Sequence, residues 1–149
     1  MPHIYRRTIK LDPVNPNLCK ILIVDDLPSN LFVIQSALEH IGAELLLAES
    51  GDAALEILMS EPEAPALAIL DVQMPGMDGY ELAQLIRSQE RMRHMPIIFL
   101  SAYFNDVESI YKGYSTGAVD CLTKPFNPAM LQAKVKVFLD LKQDRKSVV

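Results

Sequence analysis

From Lys20 onward, short apolar runs alternate with segments whose apolar residues recur every three or four positions. The short runs predict strands that are buried on both faces, and the spaced pattern predicts amphipathic helices. Five strands are predicted, at residues 21–24, 44–48, 66–70, 96–100 and 118–122. Each is followed by a predicted helix, so the sequence predicts an α/β fold with a doubly wound, five-stranded parallel sheet and helices on both faces.

Capping residues mark the ends of the predicted helices. Pro28 begins the first helix and Gly42 ends it, while Ser50, Asp78 and Asn127 are predicted to cap the second, third and last helices. A shorter helix is predicted at residues 106–116. The side chains expected to face the core are Leu31, Ile34, Leu38, Ile41, Ala54, Leu55, Leu58, Leu82, Leu85, Ile86, Val107, Ile110, Tyr114, Leu131, Val135 and Phe138.

A chain of 149 residues, of which 50% are hydrophobic, is long enough for one domain with a substantial core. We expect this domain to span residues 18–141. Residues 1–17 contain several prolines that disfavour helix and ladder, and this leader is expected to be disordered or loosely packed. Residues 142–149 are interpreted as a polar tail or the start of a linker.

Charge and composition narrow the possible partners. The net charge is −5 with a pI near 5.1, and the basic residues form no stripe, which argues against a nucleic-acid surface. No run of about 18 apolar residues is present and residues 1–20 lack a signal-peptide core, so a cytoplasmic protein without a membrane segment is expected. Cys19 and Cys121 are expected to be reduced and mostly buried, and the three histidines lack zinc-ligand spacing.

Reactive side chains follow four of the predicted strands. Asp25 and Asp26 follow the first strand, Asp71 the third, Ser101 the fourth and Lys124 the fifth. In an open parallel sheet the carboxyl ends of the strands meet at the edge where ligands bind. The sequence therefore predicts that three carboxylates, a hydroxyl and a lysine converge at this edge.

The predicted cluster suits phosphoryl transfer. Asp71 is the candidate nucleophile, because a carboxylate can accept a phosphoryl group as an acyl phosphate; the alternative is a plain strand-end charge or helix cap. Carboxylates that share one site repel each other unless a cation joins them, and Mg²⁺ fits such a site, with Mn²⁺ a possible substitute. Ser101 and Lys124 could hold the phosphoryl oxygens, the alternatives being a turn serine and a solvated lysine.

The residues around these positions resemble a known family. The matching motifs are Asp25-Asp26, the segment at residues 71–79 (DVQMPGMDG), Ser101-Ala102 and Lys124-Pro125-Phe126. In this order, on successive strand ends, they resemble the receiver domain of bacterial two-component response regulators. The resemblance covers residues 20 to about 141.

The resemblance implies a strand order of 2-1-3-4-5 and phosphorylation of Asp71 by a sensor histidine kinase or a phosphotransfer protein. It further implies that Asp26, Asp71 and the main-chain carbonyl of Gln73 are direct Mg²⁺ ligands, with Asp25 acting through water. A cis peptide bond between Lys124 and Pro125 is also implied. Such a chain is not an enzyme, beyond self-catalysed phosphorylation and dephosphorylation.

Two features of the sequence bear on signalling. Three residues before the lysine, where many receivers carry Tyr or Phe, this chain has Cys121, so an inward-swinging aromatic cannot act at that position. A redox role for this thiol would require a lowered pKa and exposure. The last helix carries a second apolar row, Met130, Val137 and Leu141, which indicates either broad packing or a surface for a homodimer or a downstream output domain.

Three other interpretations stay open at this level. A flavodoxin-like cofactor binder would share the fold, but Asp25-Asp26 has the wrong charge for a flavin phosphate. An aspartyl phosphatase-like hydrolase would share the acyl-phosphate chemistry, but its nucleophile would normally follow the first strand. A pseudo-receiver or adaptor would bind its partner without being phosphorylated.

Overall fold

The computed structural model describes residues 5–6, 19–102 and 120–147. In this part of the chain the strands are β1 (Tyr5–Arg6), β2 (Lys20–Val24), β3 (Glu44–Ala48), β4 (Leu67–Asp71), β5 (Ile97–Ser101) and β6 (Asp120–Thr123). The helices are α1 (Pro28–Leu38), α2 (Gly51–Ser60), α3 (Gly79–Ser88) and α4 (Pro128–Ser147), with a 3₁₀ turn at Glu90–Met92. The helix predicted at residues 106–116 lies outside the described residues.

The strands form one sheet in the order β1-β3-β2-β4-β5-β6. Strands β2 to β6 run parallel to one another, and their order is the predicted 2-1-3-4-5. The doubly wound fold is therefore confirmed. The sixth strand, β1, was not predicted, because the prolines of the leader disfavour a ladder; it pairs antiparallel with β3, Tyr5 opposite Leu47 and Arg6 opposite Leu46.

Two apolar layers cover the two faces of the sheet. Side chains alternate along each strand, so that Ile21 and Ile23 pack in one layer with α1 and α4, while Leu22 and Val24 pack in the other with α2 and α3. Residues such as Leu67 to Leu70 are buried on both sides for this reason. None of the described helices has the length and apolar character needed to span a bilayer.

The predicted helix caps are present. The Ser50 hydroxyl accepts the N–H of Ala53 at 3.1 Å, and the Asp78 carboxylate accepts the N–H of Glu81 at 2.8 Å. The side chain of Asn127 accepts the N–H of Ala129 at 2.8 Å. These contacts fix the starts of α2, α3 and α4.

Several helix details differ from the prediction. Leu85 is 43% exposed rather than inward, because it lies beyond the edge of the arc on α3 that faces the sheet. Ile57 and Leu139 are buried although they were not predicted to be. Helix α1 ends at Leu38, before the predicted stop, and α4 continues through the predicted polar tail to Ser147.

A charged network ties the loops together at the amino-terminal edge of the sheet. Glu61, only 3% exposed, accepts a hydrogen bond from the ammonium group of Lys20 at 2.6 Å, and a carboxylate oxygen of Glu44 lies 3.9 Å from the same nitrogen. The guanidinium of Arg91 donates to the main-chain carbonyls of Glu61, at 2.7 Å, and Leu58. Helix α2 is thereby joined at its C-terminus to the 3₁₀ turn.

Candidate functional site: an acidic cluster with a lysine

The parallel register brings the predicted site residues to one edge of the sheet. Val24, which precedes Asp25, pairs with Leu70, which precedes Asp71, so these two aspartates follow aligned positions on β2 and β4. Asp71 in turn pairs with Leu100, just before Ser101 at the end of β5. The predicted convergence of these strand ends is confirmed.

Three carboxylates lie together at this edge. Asp25, Asp26 and Asp71 each present an oxygen, and these oxygens all lie within 4.8 Å of one another. Asp25 is completely buried and Asp71 is 4% exposed, while Asp26 is partly exposed. Because three like charges this close repel strongly in a partly desolvated place, the cluster requires a counter-charge.

Lys124 supplies one positive charge to the cluster. Its ammonium group lies 3.0 Å from a carboxylate oxygen of Asp25 and 3.0 Å from one of Asp71. Its main-chain N–H donates to the carbonyl of Ser101 at 2.9 Å, which fixes the loop after β6 against the end of β5. The peptide bond between Lys124 and Pro125 is cis, as the family resemblance implied.

Asp25 is held by contacts on both of its carboxylate oxygens. One oxygen accepts the main-chain N–H of Leu27 at 3.0 Å and the side-chain amide of Asn30 at 3.2 Å, and the other accepts Lys124. The N–H of Asp25 donates to the carbonyl of Ala48 at 3.1 Å. Asn30 was not predicted from the sequence, although a polar side chain in the first turn of a helix that begins at a strand end was a usable signal.

Charge and burial shift the pKa of two groups in the cluster. Burial, together with the nearby Asp25 charge, raises the pKa of Asp71 even though hydrogen bonds from Lys124 and the Gln73 amide act in the opposite direction. Burial alone would lower the pKa of Lys124, but its hydrogen bonds with Asp71 and Asp25 outweigh burial and raise it. The lysine therefore stays charged, and ionised Asp71 remains under-compensated in the absence of a metal.

The loop after Asp71 is held close to the strand end by Gly79. The N–H of Gly79 donates to the carbonyl of Val72 at 2.9 Å. A Cβ at position 79 would lie 2.3 Å from the carbonyl oxygen of Asp71 and 2.9 Å from the Cα of Val72. Only glycine allows this approach, so α3 starts in direct backbone contact with the Asp71 peptide. Gly76, with a φ of 75°, supplies the left-handed turn within the loop.

The remaining predicted residues take different positions. Ser101 is 2% exposed at the end of β5, and Gln73 lies exposed in the loop with its main-chain N–H directed to the Asp71 carboxylate. Ligation by the Gln73 carbonyl stays a prediction. Cys19 is buried as expected, and no disulfide joins it to Cys121.

Cys121 differs from the expectation of a mostly buried thiol. It is partly exposed on β6, where it pairs with Phe99 of β5. Burial and the charge of Asp120 raise its pKa. A redox sensor needs a lowered thiol pKa, so this environment argues against that role.

The comparisons with known proteins identify the family of this chain. A model of the response regulator receiver domain matches residues 21–136, and the chain belongs to this family. The alkaline phosphatase synthesis transcriptional regulatory protein PhoP of Bacillus subtilis is 38% identical over 120 residues, which cover 80% of this chain and 48% of that protein. The sensor histidine kinase GacS of Pseudomonas protegens is 40% identical over 117 residues, 75% of this chain and 12% of the kinase. The chain thus spans about half or less of these relatives.

Solved structures show the same fold. The chemotaxis protein CheY4 of Vibrio cholerae superimposes with a TM-score of 0.75 at 30% identity, over 81% of this chain and 98% of that one. The receiver domain of a signal transduction histidine kinase from Syntrophus aciditrophicus superimposes with a TM-score of 0.74 at 33% identity. The superposition covers 82% of this chain and 90% of that one. The chain therefore contains a receiver domain of the kind found in two-component signal transduction.

Proposed function

We propose that Asp71 accepts a phosphoryl group from a phosphohistidine of a sensor kinase or phosphotransfer protein, in a reaction that requires Mg²⁺, and that the product switches partner interactions. One observation carries this proposal: the Asp71 carboxylate lies within 4.8 Å of the carboxylates of Asp25 and Asp26 and 3.0 Å from the Lys124 ammonium. The cluster thus combines a nucleophile, Asp71, with carboxylate oxygens that suit Mg²⁺ and with the Lys124 ammonium group.

The transfer is a substitution at phosphorus. A carboxylate oxygen of Asp71 forms a P–O bond as the P–N bond of the donor breaks, and the departing imidazole nitrogen takes a proton. The product is an acyl phosphate on Asp71. The Lys124 ammonium, already aligned on Asp71, and the hydroxyl of Ser101 are proposed to hold phosphoryl oxygens, because fixed donors act best where negative charge builds up.

The donor set fits a magnesium ion. Asp26, Asp71 and the Gln73 carbonyl are proposed as direct ligands and Asp25 as a ligand through water. The structure supports the indirect role of Asp25, since both its oxygens already accept hydrogen bonds. When bound, the ion supplies positive charge that offsets the carboxylates and the incoming phosphoryl oxygens.

The partners are proposed from the relatives and from the surface. Proteins similar to this chain include a sensor histidine kinase and a transcriptional regulatory protein, which fits a kinase upstream and an output domain downstream. The outward row of α4, Met130, Val137 and Leu141, is 52–56% exposed and provides a candidate surface for an output domain or a homodimer. Exposure of these apolar side chains supports the hypothesis that α4 binds a partner rather than only packing against the sheet.

Intact-mass measurement after incubation with a small acyl phosphate and Mg²⁺ tests the proposal. The native chain should gain one phosphoryl group, and Asp71→Asn should gain none, because the amide is not a nucleophile. Asp140→Asn, an exposed aspartate on α4, is the matched control and should label normally. Labelling should stop when a chelator removes the metal.

Two results would contradict the proposal. Mg²⁺-dependent labelling that persists in Asp71→Asn would move the acceptor to another residue. A native chain that binds Mg²⁺ but gains no mass from any phosphoryl donor would be a binding-only adaptor.

A further inference from the structure

The outer side of β3 presents main-chain hydrogen-bonding groups. Glu44 donates its N–H to Cys19, and the carbonyl of Ala48 accepts from Asp25, so the even-numbered residues of β3 point their backbone groups toward β2. Backbone direction alternates along a strand, and Leu45 and Leu47 must therefore point theirs toward the other side. That side is the edge at which β1 pairs.

The described residues of β1, Tyr5–Arg6, lie opposite Leu46 and Leu47 of this edge. Tyr5 lies opposite Leu47, whose backbone groups point outward, so this is the hydrogen-bonded pair; Arg6 lies opposite Leu46, whose groups point inward. The described strand thus offers one hydrogen-bonded pair. The presence of β1 also shows that α1 and α2 leave room for another backbone beside β3.

We propose that the outer edge of β3 is an interaction surface for β3 of a second copy of this chain, and that Tyr5–Arg6 covers it in the single copy. A strand edge with outward N–H and carbonyl groups is a template for another strand. The choice of a second copy rests on the sequence of β3 itself.

The edge is self-complementary in an antiparallel arrangement. With a twofold axis at Leu46, Leu45 of one copy lies opposite Leu47 of the other, and both are hydrogen-bonded pairs. Two such pairs would replace the one hydrogen-bonded pair that the described residues of β1 provide. The charged residue of β3, Glu44, lies opposite Ala48 in this register, so no like charges meet.

The cover and the second copy compete for the same groups. Pairing with Tyr5 is intramolecular, with an effective concentration in the millimolar range, and it should dominate in the native chain. The apparent dimer affinity is reduced by the fraction of edges that are open. Weakening the cover should therefore strengthen the dimer.

Two proline variants of the full chain separate the cover from general effects of proline. Tyr5→Pro removes the main-chain N–H that faces the carbonyl of Leu47 and so weakens this pair. Arg6→Pro removes a main-chain N–H that points away from β3 and is the matched control. In sedimentation equilibrium up to about 1 mM protein, the range of the intramolecular effective concentration, Tyr5→Pro should dimerise at least about tenfold more tightly than Arg6→Pro. Association through α4 would be equal in both variants.

Amide hydrogen exchange locates the effect. In dilute Tyr5→Pro the Leu47 amide should exchange faster than in the native chain, and at high concentration the Leu45 and Leu47 amides should both slow. Equal Leu47 exchange in all three proteins would show that Tyr5 does not cover the edge. Faster exchange without a tighter dimer, or a dimer in which both amides stay fast, would show that the edge does not recruit a second copy.

Discussion

The two ends of the sheet carry similar charged groups in different proportions. At the amino-terminal edge, buried Glu61 and nearby Glu44 meet Lys20, and Arg91 binds the carbonyls of the same loop. These four described side chains comprise two acids and two bases. At the carboxyl-terminal edge, Asp25, Asp26 and Asp71 lie together, and Lys124 contacts Asp25 and Asp71.

The difference separates a structural network from a binding site. A balanced network keeps its charges satisfied and joins elements together, whereas an acidic surplus at a desolvated edge is costly unless a cation completes it. Burial first, and then the charge of Asp25, raises the pKa of Asp71, which agrees with an acidic surplus at a desolvated edge. The comparison predicts that metal, charge removal and pH act differently at the two edges.

The largest expected effect is stabilisation by Mg²⁺. An ion that binds only the folded state adds about 2.7 kcal/mol to the free energy of unfolding at one hundred times its dissociation constant. Urea unfolding with and without Mg²⁺ measures this. Asp26→Asn should be more stable than the native chain without metal and should lose the response. If millimolar Mg²⁺ left the free energy of unfolding of the native chain unchanged, the carboxyl-terminal edge would not be a metal site, and the proposed difference between the two edges would be wrong.

At the amino-terminal edge, Glu61→Gln should destabilise the fold, whereas Asp26→Asn should stabilise the metal-free protein. The variant leaves Lys20 without its charged partner at 2.6 Å, and we expect unfolding to become easier by about 1–2 kcal/mol, a value reduced because Lys20 is partly exposed. The Mg²⁺ response should be unchanged. Glu56→Ala, on the exposed side of the same helix, is the control and should have little effect on stability. An altered Mg²⁺ response in Glu61→Gln would show that the two edges are coupled.

The smallest effect concerns Asp71 and pH in metal-free protein. A carboxyl whose folded pKa is raised destabilises the fold above that pKa, and the cost disappears as the pH falls toward the ordinary value of 3.8. Asp71→Asn should therefore be more stable than the native chain at pH 8 by up to about 1 kcal/mol. The advantage should shrink on acidification. An advantage that grows at low pH would reverse the assigned direction.

Much of the fold follows from local sequence. Apolar runs place all five parallel strands, and Ser50, Asp78 and Asn127 mark three helix starts, because these signals act over a few residues. Strand β1 depends on a pairing with β3 some forty residues away, which no local pattern encodes. The prediction that Leu85 faces the core is wrong, because residues spaced three or four apart cover a wider arc of the helix than the part that contacts the sheet.

The candidate site was predictable as far as side chains at strand ends determine it. Asp25, Asp26, Asp71 and Lys124 meet because parallel strands bring their ends to one edge. The position of Asn30 on the Asp25 carboxylate depends on the angle at which α1 leaves β2, a tertiary feature. The partial exposure of Cys121 likewise depends on how neighbouring elements cover β6.

Gly79 gives the site a mechanical property. Because Gly79 has no Cβ, the backbone of α3 contacts the Asp71 peptide directly. No side chain of residue 79 lies between them that could change rotamer when the strand end moves. Stiff contacts transmit small movements, because packed backbones cannot be compressed. A shift of a few tenths of an ångström at the strand tip would therefore push on the whole helix. We therefore expect α3 to respond directly to a chemical change at Asp71, because the start of the helix touches the Asp71 peptide.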